Sequence, residues 1–260
     1  GKLYMKDVNY LDAIKANSGR YKIEDAGINS EYSDYGTTLY GNEIVFASAR
    51  DAGTLIQKKH KWTNQYFTNL YSARLGEDMT PGEPKMFDSK INTRFNESTP
   101  VFTKDGKTMY FTRNNFLDGK KGKDANKVTL VKIYKATLEN NKWTKITELP
   151  FNSDNYSTAH PALSPDGNTL YFASDMPGSI GQSDLFKVKV NNDGSYGSPE
   201  NLGKTINTEG RETFPFVSDE NELYFSTDGH PGLGGLDVFV NTINPDGSFG
   251  EVQNLGTDIN

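Results

Sequence analysis

The chain has 260 residues, a formal net charge of −6, 34% hydrophobic residues, 25 glycines and no cysteine. Without cysteine there are no disulfides, no thiolate nucleophile and no thiolate-held metal, and the acidic balance argues against nucleic acid as a partner. No stretch reaches the roughly 18 apolar residues of a membrane-spanning helix.

In chain order, residues 1–20 carry a weakly helical pattern around Tyr10, Leu11 and Ile14 and read as a lead-in from a preceding domain. Residues 21–30 read as an orphan outer strand, by likeness to the closing stretch Phe249 to Asn260. A module then repeats over residues 31–91, 92–153, 154–207 and 208–260. Each copy holds a short strand built on an anchor phenylalanine: Phe46, Phe111, Phe172 and Phe225, spaced 65, 61 and 53 residues apart. Upstream lies a segment with Gly or Pro at one aligned position, in Asp34-Tyr35-Gly36, Ser98-Thr99-Pro100, Ala159-His160-Pro161 and Thr213-Phe214-Pro215. Asp-Gly turns such as Ser164-Pro165-Asp166-Gly167 mark hairpins, because glycine accepts the positive φ they require. Downstream comes an apolar strand: Leu70-Tyr71, Ile133-Tyr134, Leu185-Phe186 and Val238-Phe239. An aromatic (Trp143, Tyr196, Phe249) opens a last strand, and the later modules end on Ile206-Asn207 and Ile259-Asn260.

Four short antiparallel strands per module, repeated in order, predict an all-β fold, a β-propeller of four-stranded antiparallel blades. A β-sandwich also has short strands and glycine-rich turns but does not repeat one four-strand motif. Four repeats are visible, and the orphan strand implies a five-bladed parent whose ring closes by pairing it with later strands.

Several residue groups are candidates for function. Tyr35, Thr99, His160 and Phe214 align on the innermost strands, where they would frame a channel mouth able to read a glycan or peptide; the alternative is blade packing. Two long insertions are basic: one holds Lys58, Lys59, His60, Lys61 and Trp62, the other Lys120, Lys121, Lys123 and Lys127. Such loops on a rigid scaffold suit an anionic partner surface, or are simply solvated. The glycine-rich loops ending at Asp184 and Asp237 do not follow calcium-loop spacing, so these aspartates are expected to cap loop amides. Three histidines without ligand spacing give no metal site, and no cofactor is expected. Glu97, Glu212 and Asp34 recur near inner-strand starts; as a pair across a cleft they would suit glycoside hydrolysis, and otherwise they cap turns.

The stretch Pro161-Ala162-Leu163-Ser164-Pro165-Asp166-Gly167-Asn168-Thr169-Leu170-Tyr171-Phe172 resembles the TolB-type, WD-like propeller repeat. More narrowly, Ile28-Asn29-Ser30-Glu31-Tyr32-Ser33-Asp34-Tyr35-Gly36, then Ile44-Val45-Phe46-Ala47-Ser48, and Pro231-Gly232-x-Gly234-Gly235-x-Asp237-Val238-Phe239 are similar to the propeller of Bacteroidetes OmpA-family proteins, PorE-like members included. The resemblance covers about residues 20–260. It implies a non-catalytic periplasmic scaffold, associated with the outer membrane and possessing protein partners in an outer-membrane assembly such as type IX secretion. Peptidoglycan would be bound only through an OmpA-like domain that this chain does not contain. The alternatives are a glycan- or peptide-binding propeller and a five-bladed glycosidase.

Overall fold

The computed structural model describes residues 9–51, 59 and 64–260. Four four-stranded antiparallel sheets follow one another, the blades of a β-propeller. The first is β1 (Asp34–Tyr40), β2 (Glu43–Ser48), β3 (Asn69–Arg74) and β4 (Lys85–Met86). The second is β5 (Glu97–Phe102), β6 (Thr108–Asn114), β9 (Val131–Glu139) and β10 (Lys142–Glu148); a hairpin of β7 (Phe116–Leu117) and β8 (Lys120–Lys121) is inserted after β6. The third is β11 (Thr158–Leu163), β12 (Thr169–Ser174), β13 (Asp184–Lys189) and β14 (Glu200–Asn201); the fourth is β15 (Glu212–Val217), β16 (Glu222–Thr227), β17 (Asp237–Thr242) and β18 (Gln253–Asn254). The chain divides into two compact units, Asp25–Pro161 and the combination of Gly1–Glu24 with Ala162–Asn260.

Each blade is knit by one aromatic pair. The anchor phenylalanine on the second strand lies opposite an aromatic on the third: Phe46 and Tyr71, Phe111 and Tyr134, Phe172 and Phe186, Phe225 and Phe239. Ring centroids are 6.3, 6.0, 5.9 and 6.2 Å apart, and all four anchors are at most 2% exposed. Such cross-strand pairs are the unit of sheet stabilisation. In the Asp25–Pro161 unit the core continues through Val45, Leu70, Ile91, Met109 and Trp143. In the other unit it runs through Leu185, Leu202, Ile206 and Leu223.

Three of the fourth strands are only two residues long. An asparagine extends the pairing. Asn92, Asn152, Asn207 and Asn260 each place a side-chain amide against the backbone of one third-strand residue. The N–H groups of Leu70, Ile133, Leu185 and Val238 donate to Oδ1 at 2.7, 3.2, 2.8 and 2.6 Å. Nδ2 returns a bond to the same residue's carbonyl at 2.9, 2.7, 2.9 and 3.2 Å. A primary amide has the donor and acceptor of a peptide group, so one side chain stands in for a residue of paired strand.

Residues 21–30, expected as an outer strand, form none; Gly27 N–H and Asn29 Nδ2 instead bond Asp25 Oδ1 within a local turn. The helical lead-in is the two-turn helix α1 (Tyr10–Asn17), held by buried Ile14 and by Asn17 Nδ2 donating to the Asn254 carbonyl at 3.0 Å.

Asn207, 2% exposed, tests the clamp. Asn207→Ala leaves the Leu185 N–H without its partner, while the Leu185 carbonyl keeps the Leu202 N–H at 3.1 Å, and is expected to lower unfolding free energy by roughly 1–3 kcal/mol in urea titration. A loss below about 0.5 kcal/mol would contradict the assignment.

Candidate functional site

The innermost strands share a bulge. Gly36, Thr99, His160 and Phe214 all adopt left-handed backbone, with φ of 65, 43, 55 and 50°. Pairing register shifts at this point in β1, β5 and β15. Gly36, not Tyr35, is therefore the counterpart of Thr99, His160 and Phe214. The sequence alignment was one residue out there because it matched Gly36 to the prolines. A Cβ on Gly36 would come within 2.7 Å of Thr99 Cγ2, so the closest approach of the first two inner strands requires glycine.

Tyr35 and His160 do meet, in an open cleft of about 330 Å³ within the Asp25–Pro161 unit. Its walls carry Ser33, Gln65, Thr68, Asn96, Ser98 and Thr112 as hydroxyl and amide groups, Tyr35, Tyr66 and His160 as rings, and Ala49, Val131 and Ala159 as apolar floor. Among the described residues no Asp, Glu, Lys or Arg lines it. The polar groups are pre-positioned by one another. Asn96 Oδ1 accepts from Thr68 N–H at 3.0 Å, Asn96 Nδ2 donates to Asn114 Oδ1 at 3.0 Å, and Ser33 Oγ donates to Gln65 Oε1 at 2.7 Å. His160 N–H donates to Thr112 Oγ1 at 2.8 Å, and its Nδ1 lies 3.3 Å from Thr99 Oγ1. Burial pushes the imidazole pKa down to about 4, so His160 is neutral at pH 7. Thr99 is itself buried and acts on the cleft through His160 and Thr112. Phe214 belongs to the other unit.

A ledge of rings and cations adjoins the cleft. Tyr66 packs edge-on to Tyr32 at 5.6 Å, with Lys59 Nζ over its ring at 4.8 Å. Phe95, which precedes Asn96, contacts Phe67 at 6.5 Å and Phe116 at 4.7 Å. The Arg94 guanidinium lies over Phe95 and Phe116 at 5.5 and 5.4 Å, and Lys121 Nζ over Phe95 at 5.2 Å. These rings hold the cations in place by cation–π attraction, and among the described residues no acid pairs with Arg94 or Lys121. Lys120 and Lys123 are exposed on the same insertion. Lys58, Lys61 and Trp62 lie outside the described residues.

The recurring carboxylates are structural. Glu97 is 0% exposed and accepts from Thr93 N–H (3.0 Å), Thr93 Oγ1 (2.7 Å) and Arg113 Nε (2.9 Å). Burial pushes its carboxyl up, against the downward pull of those donors. Glu212, also 0% exposed, accepts from Thr208 N–H, Thr208 Oγ1 and Thr227 Oγ1 at 3.0, 2.6 and 2.7 Å. Asp34 does the same for Ser30 and Arg50. Asp184 caps the amides of Ile180 and Gly181, and Asp237 those of Leu233 and Gly234, as their loops predicted. Among the described residues no cluster of His, Asp and Glu could hold a metal ion.

No family model and no curated protein matches the chain. Solved structures do. An endo-arabinase from Bacteroides thetaiotaomicron aligns with TM-score 0.51 at 10% identity over 87% of this chain and 81% of its own. An α-L-arabinofuranosidase from Lactobacillus brevis aligns with TM-score 0.49 at 12% identity, over 86% and 71%. A puromycin-hydrolysing peptidase from Mycobacterium tuberculosis aligns with TM-score 0.46 at 13% identity; this chain covers 32% of it, about a third of its length. At these identities the likeness shows the fold. The expectation of a non-catalytic protein–protein scaffold is corrected: no comparison supports an outer-membrane scaffold, and the endo-arabinase that shares the fold is an enzyme. TolB-type and OmpA-family membership likewise find no match.

His160 gives a pH test. Its folded pKa lies below the ordinary 6.5, so the unfolded chain binds more protons between pH 6.5 and 4, and the imidazole's contribution to stability is lost as pH falls through that window. Asparagine tolerates the left-handed backbone and does not titrate there. His160→Asn is expected to gain about 1–3 kcal/mol relative to the wild type between pH 7 and pH 4. Parallel pH profiles of the two proteins would contradict the neutral imidazole.

Proposed function

We propose that the cleft of the Asp25–Pro161 unit binds a saccharide. The observation that carries this is the lining itself: six hydroxyl and amide side chains and three rings, with no charged group among the described residues. Sugars present hydroxyls to such donors and acceptors and C–H faces to rings, whereas a neutral lining gives a phosphate or carboxylate nothing to neutralise it. The adjoining ledge extends the site. Lys59, Arg94 and Lys121, fixed over rings, suit acidic groups on units flanking the one held in the cleft. Turnover of the bound glycan is a second reading, the chemistry named for the endo-arabinase of similar fold; His160, its pKa lowered to about 4, would serve there as a neutral hydrogen-bonding group. The motif resemblance of residues 28–36 and 231–239 supports a periplasmic OmpA-family setting, which cell fractionation of the native protein would test.

A glycan array followed by calorimetry tests the binding. Tyr66→Ala is expected to weaken the selected saccharide roughly tenfold with the fold intact. A uronate-containing oligosaccharide should bind more tightly than its methyl ester, and Arg94→Ala with Lys121→Ala should remove that preference, as should raising salt to about 0.5 M. If no saccharide binds above background, the proposal fails. If acidic and neutral forms bind alike, only the ledge assignment fails. Release of new reducing ends is the result expected of turnover.

A further inference from the structure

Asn29 occupies the position held by the clamping asparagines, and its turn is docked as theirs are. The order Ile28-Asn29-Ser30 parallels Ile91-Asn92-Thr93 and Ile206-Asn207-Thr208. In each, the hydroxyl after the asparagine bonds the acid four residues on: Ser30 to Asp34 at 2.8 Å, Thr93 to Glu97 at 2.7 Å, Thr208 to Glu212 at 2.6 Å. The isoleucine carbonyl before it receives a side-chain donor lying on the blade's aromatic pair. Arg50 Nη2 donates to Ile28 at 2.7 Å, Arg113 Nη2 to Ile91 at 2.6 Å, and His230 Nε2 to Ile206 at 2.8 Å. The stacking is equivalent too: Arg50 over Phe46 and Tyr71, Arg113 over Phe111 and Tyr134, His230 against Phe225 and Phe239.

Only the amide differs. Asn92, Asn152, Asn207 and Asn260 each hold the N–H and C=O of a third-strand residue, whereas Asn29 is exposed and its Nδ2 goes to Asp25 Oδ1 at 3.2 Å. We infer that Asn29 is a further strand clamp, and that it takes the third strand of another blade of this repeat type. The four existing clamps define the occupant's chemistry. Each grips an aliphatic residue directly followed by an aromatic: Leu70-Tyr71, Ile133-Tyr134, Leu185-Phe186 and Val238-Phe239. The aliphatic residue offers its backbone to the amide, while the aromatic turns to the opposite face of the strand and meets an anchor ring. Asn29 therefore selects an extended segment with an aliphatic–aromatic step, and Asp25 holds the amide until that segment arrives. The inference rests on Asn29 and is independent of the cleft.

The test uses the intact chain and a fluorescein-labelled peptide copying the clamped strand Leu236-Asp237-Val238-Phe239-Val240-Asn241-Thr242. Saturable binding by anisotropy, weakened roughly 5- to 30-fold by Asn29→Ala, is expected. A scrambled peptide separating the valine from the phenylalanine should not compete. The side-chain amide resonances of Asn29 should shift on saturation. Equal binding by wild type and Asn29→Ala, no saturable binding, or unmoved Asn29 resonances would each overturn the inference.

Discussion

The structure depends on a hydrogen bond that is made twice per blade by one side chain. A two-residue outer strand cannot by itself satisfy the third strand beside it, and a buried backbone group without a partner costs about 1–3 kcal/mol. Asparagine resolves this at Leu70, Leu185 and Val238, and Asn152 makes the same pair of bonds to Ile133 beside the longer β10. Because the clamp reaches back about 20 residues to its own blade while its neighbours start the next, it fixes where each blade ends and the next inner strand begins. The residue that follows, Thr93 or Thr208, then pins Glu97 or Glu212 at the first position of that strand. In the third blade Thr158 takes the acid's place and donates directly to the clamp residue, Asn152.

From those pinned starts the inner strands run into their left-handed bulges two residues on. In the Asp25–Pro161 unit the bulges bring Gly36 against Thr99, and Thr99 beside His160. The cleft is the space left at that point. Its polar wall comes from strand ends, Ser98 and Thr112, and from connecting loops, Ser33, Gln65 and Asn96. Buried charge is spent on the frame: Glu97 and Arg113 face each other at 2.9 Å, both at most 2% exposed. What remains for a ligand is neutral in the cleft and cationic on the ledge, a division of labour that follows from which residues the blade frame has already engaged.

Much of the frame was legible in the sequence. The four anchor phenylalanines and the aliphatic–aromatic strands were visible because a blade repeats its core and an array exposes the period. The Ile-Asn boundary was visible as punctuation, but not as a clamp, since its partner lies about 20 residues upstream in an unremarkable backbone. The bulge was not legible: a left-handed Thr, His or Phe has no composition signal, and the prolines that follow three of the four drew the alignment away from Gly36. The cleft was half legible. Tyr35 and His160 stood out as rings, whereas Ser98, Thr112 and Asn96 look like ordinary strand-end and turn residues. The ledge was seen as lysines without the phenylalanines beneath them, because Phe95 and Phe116 are far apart along the chain and meet only when β7 folds back.

Amide hydrogen exchange, followed residue by residue in the native chain, tests the clamp most directly. The N–H groups of Leu70, Leu185 and Val238 sit beside outer strands of two residues each. The account predicts that they exchange as slowly as the central-strand amides of Phe46, Phe172 and Phe225, by opening of the whole blade. Exchange at the rate of the exposed hairpin amides would show that the asparagines do not hold the strands, and the dependence of the cleft on them would fall with it.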